Sequence, residues 1–109
     1  MNEEVENYLR SYDVEIVKGF MEIRKILNEI NVTEKMWARL PSYYLGERFV
    51  RIIPFKDHLN IEATAIKKYE SQLQSYTITP KGMLQIYTNQ IIPSEILKKI
   101  FIETLKTHR

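Results

Sequence analysis

His58 is the interior histidine of this chain, and histidine is the side chain best suited to ligand binding or acid–base chemistry near neutral pH. It follows Lys56-Asp57, a predicted turn, and begins a predicted strand. Side chains alternate along a strand, so Asn60 and Glu62 fall on the same strand face as His58. One interpretation is a ligand or acid–base site at His58. The other is a turn histidine that makes only local hydrogen bonds.

Carboxylates near the start of the sequence are the candidate metal ligands. Glu3, Glu4 and Glu6 form an acidic stretch without an adjacent lysine, and Glu3 and Glu6 are spaced to share a helix face. Carboxylate oxygens are the donors that hard cations prefer. We therefore predict that any metal site uses these three residues and binds weakly, because exposed carboxylates on a terminal helix are not preorganised. The alternative is an ordinary solvated helix face, which the alternating charges of the second predicted helix also indicate.

Aromatic and arginine residues interleave in the middle of the chain. The set comprises Trp37, Arg39, Tyr43, Tyr44, Arg48 and Arg51. Such a mixture binds single-stranded nucleic acid by stacking and charge, lines small-molecule or peptide pockets, or simply packs on a sheet under arginine stems. Because the net charge is only +2 and the bases are scattered, we expect no specific nucleic-acid binding.

The predicted ligand-binding residues lie on one sheet face and beside two turns. They are Trp37, Tyr43, Lys56, His58 and Lys81. We expect Lys56 and His58 to lie near Lys81, and two lysines there would favour an anionic ligand. Lys81 belongs to the segment 79–82, a predicted hairpin turn that is not a phosphate loop, because no helix follows it.

Hydrophobic periodicity predicts an α+β fold with the order ααβββ(β)αββα, in which helices pack on one face of a mainly antiparallel sheet. The predicted elements are a short helix after Asn2, a helix over Ile16–Ile30, strands at Lys35–Leu40, Ser42–Leu45, Arg48–Phe55 and His58–Glu62, a helix at Ala63–Ser75, strands at Tyr76–Ile78 and Met83–Tyr87, and a helix from Ser94. The predicted core residues are Ile23, Leu27, Phe49, Ile53, Leu59, Ile66, Leu73, Ile86, Ile100 and Phe101.

Length and composition narrow the class of protein. The 109 residues suit one domain, 1–109, and the absence of cysteine excludes disulfides, zinc–thiolate sites and thiol nucleophiles. No apolar run approaches the ~20 residues of a membrane span, and the acidic start is unlike a signal peptide. We therefore expect a cytoplasmic, non-enzymatic protein without a membrane partner, and no function for His108.

Several segments, taken in order, resemble the YdhG-like domain-of-unknown-function family of small bacterial proteins, some of which are described as frataxin-like iron chaperones. The similar segments are Met36–Tyr43 with its aromatic-x-x-x-Pro-x-aromatic pattern, Ile53–Leu59 with its Phe-Lys-x-His element, Pro80–Ile86, and Ile92–Leu97 with its Ile-Pro helix start. Lys56, His58 and Lys81 match recurrent residues of that family. Glu62 and Gln85 depart from its pattern.

The resemblance covers nearly the whole chain and implies a frataxin-like arrangement of helices and sheet. It also implies iron as cargo, with iron–sulfur or haem assembly proteins as partners. Two functions follow as expectations. The first is iron binding and delivery, and the alternative is a binding module that holds a small molecule or a protein partner on the sheet face.

Overall fold

A computed structural model describes residues 2–106 of the chain. The helices are α1 (Glu3–Leu9), α2 (Val14–Asn28) and α3 (Ser94–Lys106), with a 3-10 helix at Thr64–Gln72. The strands are β1 (Thr33–Trp37), β2 (Leu40–Leu45), β3 (Arg48–Pro54), β4 (His58–Glu62), β5 (Thr77–Ile78) and β6 (Leu84–Tyr87). They form one antiparallel sheet in the order β1-β2-β3-β4-β6-β5. The predicted α+β class with an antiparallel sheet is confirmed. None of the described helices is long and apolar enough to span a membrane.

The helices cover one face of the sheet because the strands present their aliphatic residues there. The strand register places the covered residues side by side: Tyr43, Val50, Ile52, Leu59, Ile61, Leu84 and Ile86. Helix α2 contributes Phe20, Ile23 and Leu27, which recur at helical spacing, and α3 contributes Leu97, Ile100 and Phe101. Gly19 of α2 lets the helix approach β4, since a Cβ there would lie 3.1 Å from Leu59 Cδ1.

Eight of the ten predicted core residues are buried, and the predictions for Phe49 and Ile53 are wrong. Both faces of β3 are apolar, so the alternation of hydrophobic residues did not show which face meets the helices. The structure puts Val50 and Ile52 against the helices. Phe49 and Ile53 therefore lie on the opposite face and are only half-buried.

The region before Pro41 is a hairpin, and the prediction of one strand over Lys35–Leu40 is wrong. Ala38 and Arg39 form a two-residue turn with φ of 50° and 67°, and Trp37 pairs with Leu40 across it. A turn with two positive φ angles usually carries Asn-Gly, so this sequence gave no turn signal. Pro41 does not interrupt a strand either. It pairs with Met36 inside β2, and the β2–β3 ladder begins one residue later, at Ser42.

The segment predicted as an α-helix over Ala63–Ser75 is a shorter 3-10 helix, Thr64–Gln72. Its start is fixed to α3, because the Ala65 N–H donates to the buried Thr104 hydroxyl at 3.1 Å. The predicted hairpin turn between β5 and β6 is confirmed: the Gly82 N–H donates to the Thr79 carbonyl at 2.8 Å. His108 lies outside the described residues.

Candidate functional site

The sheet face opposite the helices, termed the open face, carries Trp37, Tyr44 and Arg51 of the interleaved aromatic and arginine residues. Because register partners in an antiparallel pair point to the same side, the register assigns this face. Its members are Lys35, Trp37, Ser42, Tyr44, Phe49, Arg51, Ile53, His58, Asn60, Glu62, Gln85 and Tyr87. Trp37 and the neighbouring Phe55 remain 51% and 42% exposed. These two rings are the exposed large apolar side chains of this face.

One half of the open face is organised around Arg51 of β3. The Arg51 Cζ lies 3.9 Å from the ring centre of Phe49 and 4.2 Å from that of Trp37. Its guanidinium donates to Ser42 Oγ at 3.0 Å and to Glu62 Oε1 at 3.2 Å. A cation above an aromatic ring is attracted by the ring quadrupole, so Arg51 fixes the orientation of both rings. We call Trp37, Phe49, Arg51 and Glu62 the Arg51 cluster.

Beside this cluster, the Lys35 ammonium lies 4.6 Å from the ring centre of Tyr44, which contacts Phe49 at 5.9 Å. The lysine is exposed, and no carboxylate pairs with it among the described residues. Lys35 on the edge strand β1 therefore places a cation without a carboxylate partner beside the Tyr44 ring.

A row of three rings forms the second half of the open face. His58 of β4 stacks on Phe55, with ring centres 4.7 Å apart and planes 10° apart, and contacts Tyr87 of β6 at 4.8 Å. His58 Nδ1 lies 2.8 Å from Asp57 Oδ1, and the side chain is 15% exposed. The local hydrogen bond matches the interpretation of a turn histidine. Glu62, the acid predicted to accompany His58, belongs to the Arg51 cluster instead.

The expectation that Lys56 and His58 lie near Lys81 is wrong. His58 pairs with Tyr87, whereas Ile61 pairs with Leu84, so β6 enters the sheet at the far end of β4. Lys81 precedes Leu84 and therefore lies beyond that far end. There it lines a cleft of about 550 Å³ with Phe49 and Met83. A combined Lys56, His58 and Lys81 anion site does not exist in this fold.

Tyr43 does not belong to the open face, so its assignment to the ligand site is also wrong. It is fully buried and points to the helices, and its neighbour Tyr44 takes the open-face position. Burial raises the pKa of Tyr43, and the nearby Glu34 carboxylate adds to the rise. Its hydroxyl has no hydrogen-bond partner of normal geometry within residues 2–106. The period-two alternation alone did not reveal which of the two tyrosines faces the helices.

The predicted metal ligands do not assemble into a set. Glu3 and Glu4 are exposed on α1, and within the part of the chain that the structure describes no three histidine, aspartate or glutamate side chains converge in a way that could hold a metal ion. The acid that matters most structurally is one the sequence did not reveal. Glu34 accepts two hydrogen bonds from Arg24 of α2, at 2.6 Å and 2.5 Å.

Asn60, which the alternation along β4 placed on the same face as His58, lies on the open face as expected. It occupies the middle of the open face between Ile53 and Gln85, and it is nine-tenths buried by its neighbours. Its Nδ2 contacts Met83 Sδ at 3.8 Å, while its Oδ1 has no hydrogen-bond partner among the described residues. The available signal was a polar residue at the centre of β4, between the apolar residues Leu59 and Ile61.

Comparison of the chain with models of protein families, with curated proteins and with solved structures finds no match. The function of the open face is therefore inferred from the geometry of its residues alone.

Proposed function

We propose that this chain is a non-enzymatic binding module that holds a small molecule or a segment of a partner protein on its open face. The observation that carries the proposal is the pair of preorganised aromatic groups. Arg51 orients Trp37 and Phe49, while His58 stacks on Phe55 and contacts Tyr87. Rings held in place before binding lose little conformational entropy when a partner stacks on them. Exposed aromatic residues are also the side chains that most often dominate binding energy.

The arrangement of His58 favours binding over catalysis. A general base must contact the group whose proton it removes. Within residues 2–106, the only hydrogen-bond partner of the His58 imidazole is Asp57, and the ring stacks on Phe55 and contacts Tyr87. In this proposal the imidazole supports the exposed Phe55 ring, and Asp57 fixes the orientation of the imidazole.

Iron delivery, which the resemblance to the YdhG-like family implies, is not part of the proposal. Ferrous iron needs several oxygen or nitrogen ligands at one point. Glu3 and Glu4 extend into solvent from a seven-residue helix, and the described residues contain no converging set of three ligands. The family's fold and its iron–sulfur or haem assembly partners stay predictions from the resemblance.

Trp37 gives a direct test, because it is the chain's single tryptophan and lies on the open face. The probes are free aromatic amino acids and short peptides of neutral aromatic, acidic and basic composition. We expect at least one probe class to shift Trp37 fluorescence saturably and to move the backbone amide NMR signals of β1, β3 and β4. Phe55→Ala leaves the reporter intact and should weaken that binding about tenfold, as loss of a central aromatic contact does.

Ile102→Ala is the matched control, since Ile102 is 39% exposed on α3 and distant from the open face. It should leave the affinity unchanged. The proposal is wrong if no probe class binds saturably at millimolar concentration, or if the shifted amides map to the helices. Equal affinity of the wild type and Phe55→Ala would contradict it as well.

A further inference from the structure

The cleft at the sheet end near Lys81 has an apolar part whose side chains are already held in place. Its volume is about 550 Å³, and Phe49 and Met83 lie in its lining, so we call it the Met83 cleft. The Arg51 guanidinium lies 3.9 Å from the Phe49 ring centre, and Asn60 Nδ2 contacts Met83 Sδ at 3.8 Å. A ring and a thioether fixed in this way can receive an apolar side chain with little reordering.

Among the described residues, four charged side chains line the Met83 cleft, and two of them already have partners. Arg48 donates to the Thr104 carbonyl at 3.3 Å, in the last turn of α3, where the helix dipole favours a cation. Glu62 accepts a hydrogen bond from Arg51 at 3.2 Å, which balances its charge. Neither Arg48 nor Glu62 therefore depends on a ligand for its partner.

The other two charged side chains of the Met83 cleft are Glu47 and Lys81, which carry opposite charges. Both residues are exposed, and neither forms an ion pair within residues 2–106. The cleft therefore offers one unpaired charge of each sign beside an apolar surface. A simple anion or a simple cation would use only one of these charges, whereas a zwitterion with an apolar side chain meets both.

The positions of the two turns set the length of such a zwitterion. Glu47 lies in the turn between the second and third strands of the sheet order, and Lys81 lies in the turn between the fifth and sixth. Adjacent strands lie about 4.8 Å apart, so the two turns are separated by roughly 14 Å across the sheet. Both side chains line the cleft between the turns, which leaves a shorter span for the ligand. An extended peptide rises about 3.3 Å per residue, so about three residues fit that span.

We propose that the Met83 cleft binds a short peptide of about three residues that has free ends and an apolar middle side chain. The N-terminal ammonium pairs with Glu47, the C-terminal carboxylate pairs with Lys81, and the apolar side chain packs on Phe49 and Met83. A segment inside a longer chain has no charged ends to offer at these two points. The site goes beyond the proposed function, because it does not use the exposed ring of Phe55.

The test titrates tripeptides and free leucine into the protein and follows the backbone amide NMR signals. The tripeptides are Gly-Leu-Gly, its N-acetylated form, its C-terminal amide and Gly-Gly-Gly. We expect Gly-Leu-Gly to shift the signals of Phe49, Gly82 and Met83 saturably at millimolar concentration. Each capped form should bind about fivefold more weakly, as expected for the loss of an exposed ion pair. Gly-Gly-Gly should bind about tenfold more weakly, because it buries no apolar side chain.

Charge variants assign each end of the peptide to its partner. Lys81→Gln should weaken Gly-Leu-Gly binding about fivefold and leave binding of the C-terminal amide unchanged, because the amide has no carboxylate to pair. Glu47→Gln should weaken Gly-Leu-Gly to the same extent and leave binding of the acetylated form unchanged. The matched controls are Lys56→Gln at the opposite end of the sheet and Glu3→Gln on α1, which should change neither affinity. An unchanged urea midpoint shows that each variant is folded.

Several outcomes would overturn the peptide site without affecting the proposed function. Capped forms that bind as tightly as Gly-Leu-Gly would show that the charged ends are not recognised, and equal binding of Gly-Gly-Gly would exclude the apolar surface. Tighter binding of free leucine would make the ligand a single amino acid and the proposed length wrong. Shifts confined to the surroundings of Trp37 and Phe55, or a weaker affinity in Phe55→Ala, would place the peptide on the aromatic groups of the proposed function instead of in the Met83 cleft.

Discussion

Arg24 and Glu34 form the one buried ion pair recorded within residues 2–106, and it connects α2 to the edge strand β1. The two side chains share two hydrogen bonds, and the Asn2 main-chain N–H donates to the same carboxylate at 3.2 Å. Burial alone would raise the pKa of Glu34, but the hydrogen bonds and the charge of Arg24 outweigh it, so the pKa is lowered. The pair therefore holds β1, and with it Trp37, against the helical layer.

We expect Glu34→Gln to destabilise the protein by about 3 kcal/mol, because it leaves the Arg24 charge buried without its partner. Glu29→Gln is the control. Glu29 and Lys98 are half-exposed and 3.9 Å apart, so this change should cost less than about 0.5 kcal/mol. Urea unfolding at neutral pH measures both values. A loss for Glu34→Gln no larger than that of the control would contradict the assignment.

The Arg24–Glu34 ion pair should make the stability of the protein depend on pH. A carboxyl group whose folded-state pKa is lowered contributes stability above its unfolded value of about 4.3 and loses it as pH falls through the folded value. The difference in unfolding free energy between the wild type and Glu34→Gln should therefore be largest near neutral pH and shrink at acidic pH. Urea unfolding from about pH 7 down to pH 3 tests this, and a constant difference would show that the charge of Glu34 is unimportant.

The β1–β2 hairpin is the element that presents Trp37, and its turn has an unfavourable composition. Ala38 and Arg39 both adopt positive φ, which costs free energy for residues with a side chain. The β2–β3 turn instead has Gly46 at φ 66°, where glycine is well suited. The two positive φ angles therefore lie directly beside the exposed Trp37.

We expect the double variant Ala38→Asn, Arg39→Gly to stabilise the protein by about 1 kcal/mol, because Asn-Gly is the preferred sequence for a turn with two positive φ angles. Gly46→Ala should instead destabilise the protein by about 1 kcal/mol. This cost comes from backbone strain alone, since nothing lies within 4 Å of the added Cβ. Thermal and urea unfolding measure both. A destabilised Asn-Gly variant would mean that contacts of Arg39 outweigh the backbone strain.

At the scale of the whole molecule, one core joins the helical layer to a single face of the sheet. Phe101 of α3 lies within it at 0% exposure, and the next residue, Ile102, is 39% exposed. Phe101→Ala should cost about 3–5 kcal/mol, whereas Ile102→Ala should cost less than about 1 kcal/mol. Equal losses in urea unfolding would contradict the burial difference. The helical layer fixed in this way covers only that face, and the open face on the other side of the sheet has no such layer among the described residues.

The sequence by itself determined the helical and strand periodicities and several turns, because these depend on neighbouring residues. The spacing of Phe20, Ile23 and Leu27 predicted the buried side of α2, and the turn containing Gly82 predicted the β5–β6 hairpin, which the structure confirms. Local spacing repeats at 3.6 residues in a helix and at two in a strand, whatever the rest of the chain does.

Only the tertiary structure decided which face of each strand meets the helices and which strand ends lie together. Tyr43 and Tyr44 are equivalent by alternation. In the folded chain Tyr43 pairs with Val50 on the helix side, and Tyr44 pairs with Phe49 on the open face. Lys81 and His58 likewise separated because β6 pairs with β4 in a particular register. A shift of one residue reverses the two faces of a strand, and long-range packing selects between them. The composition of the open face follows from that choice.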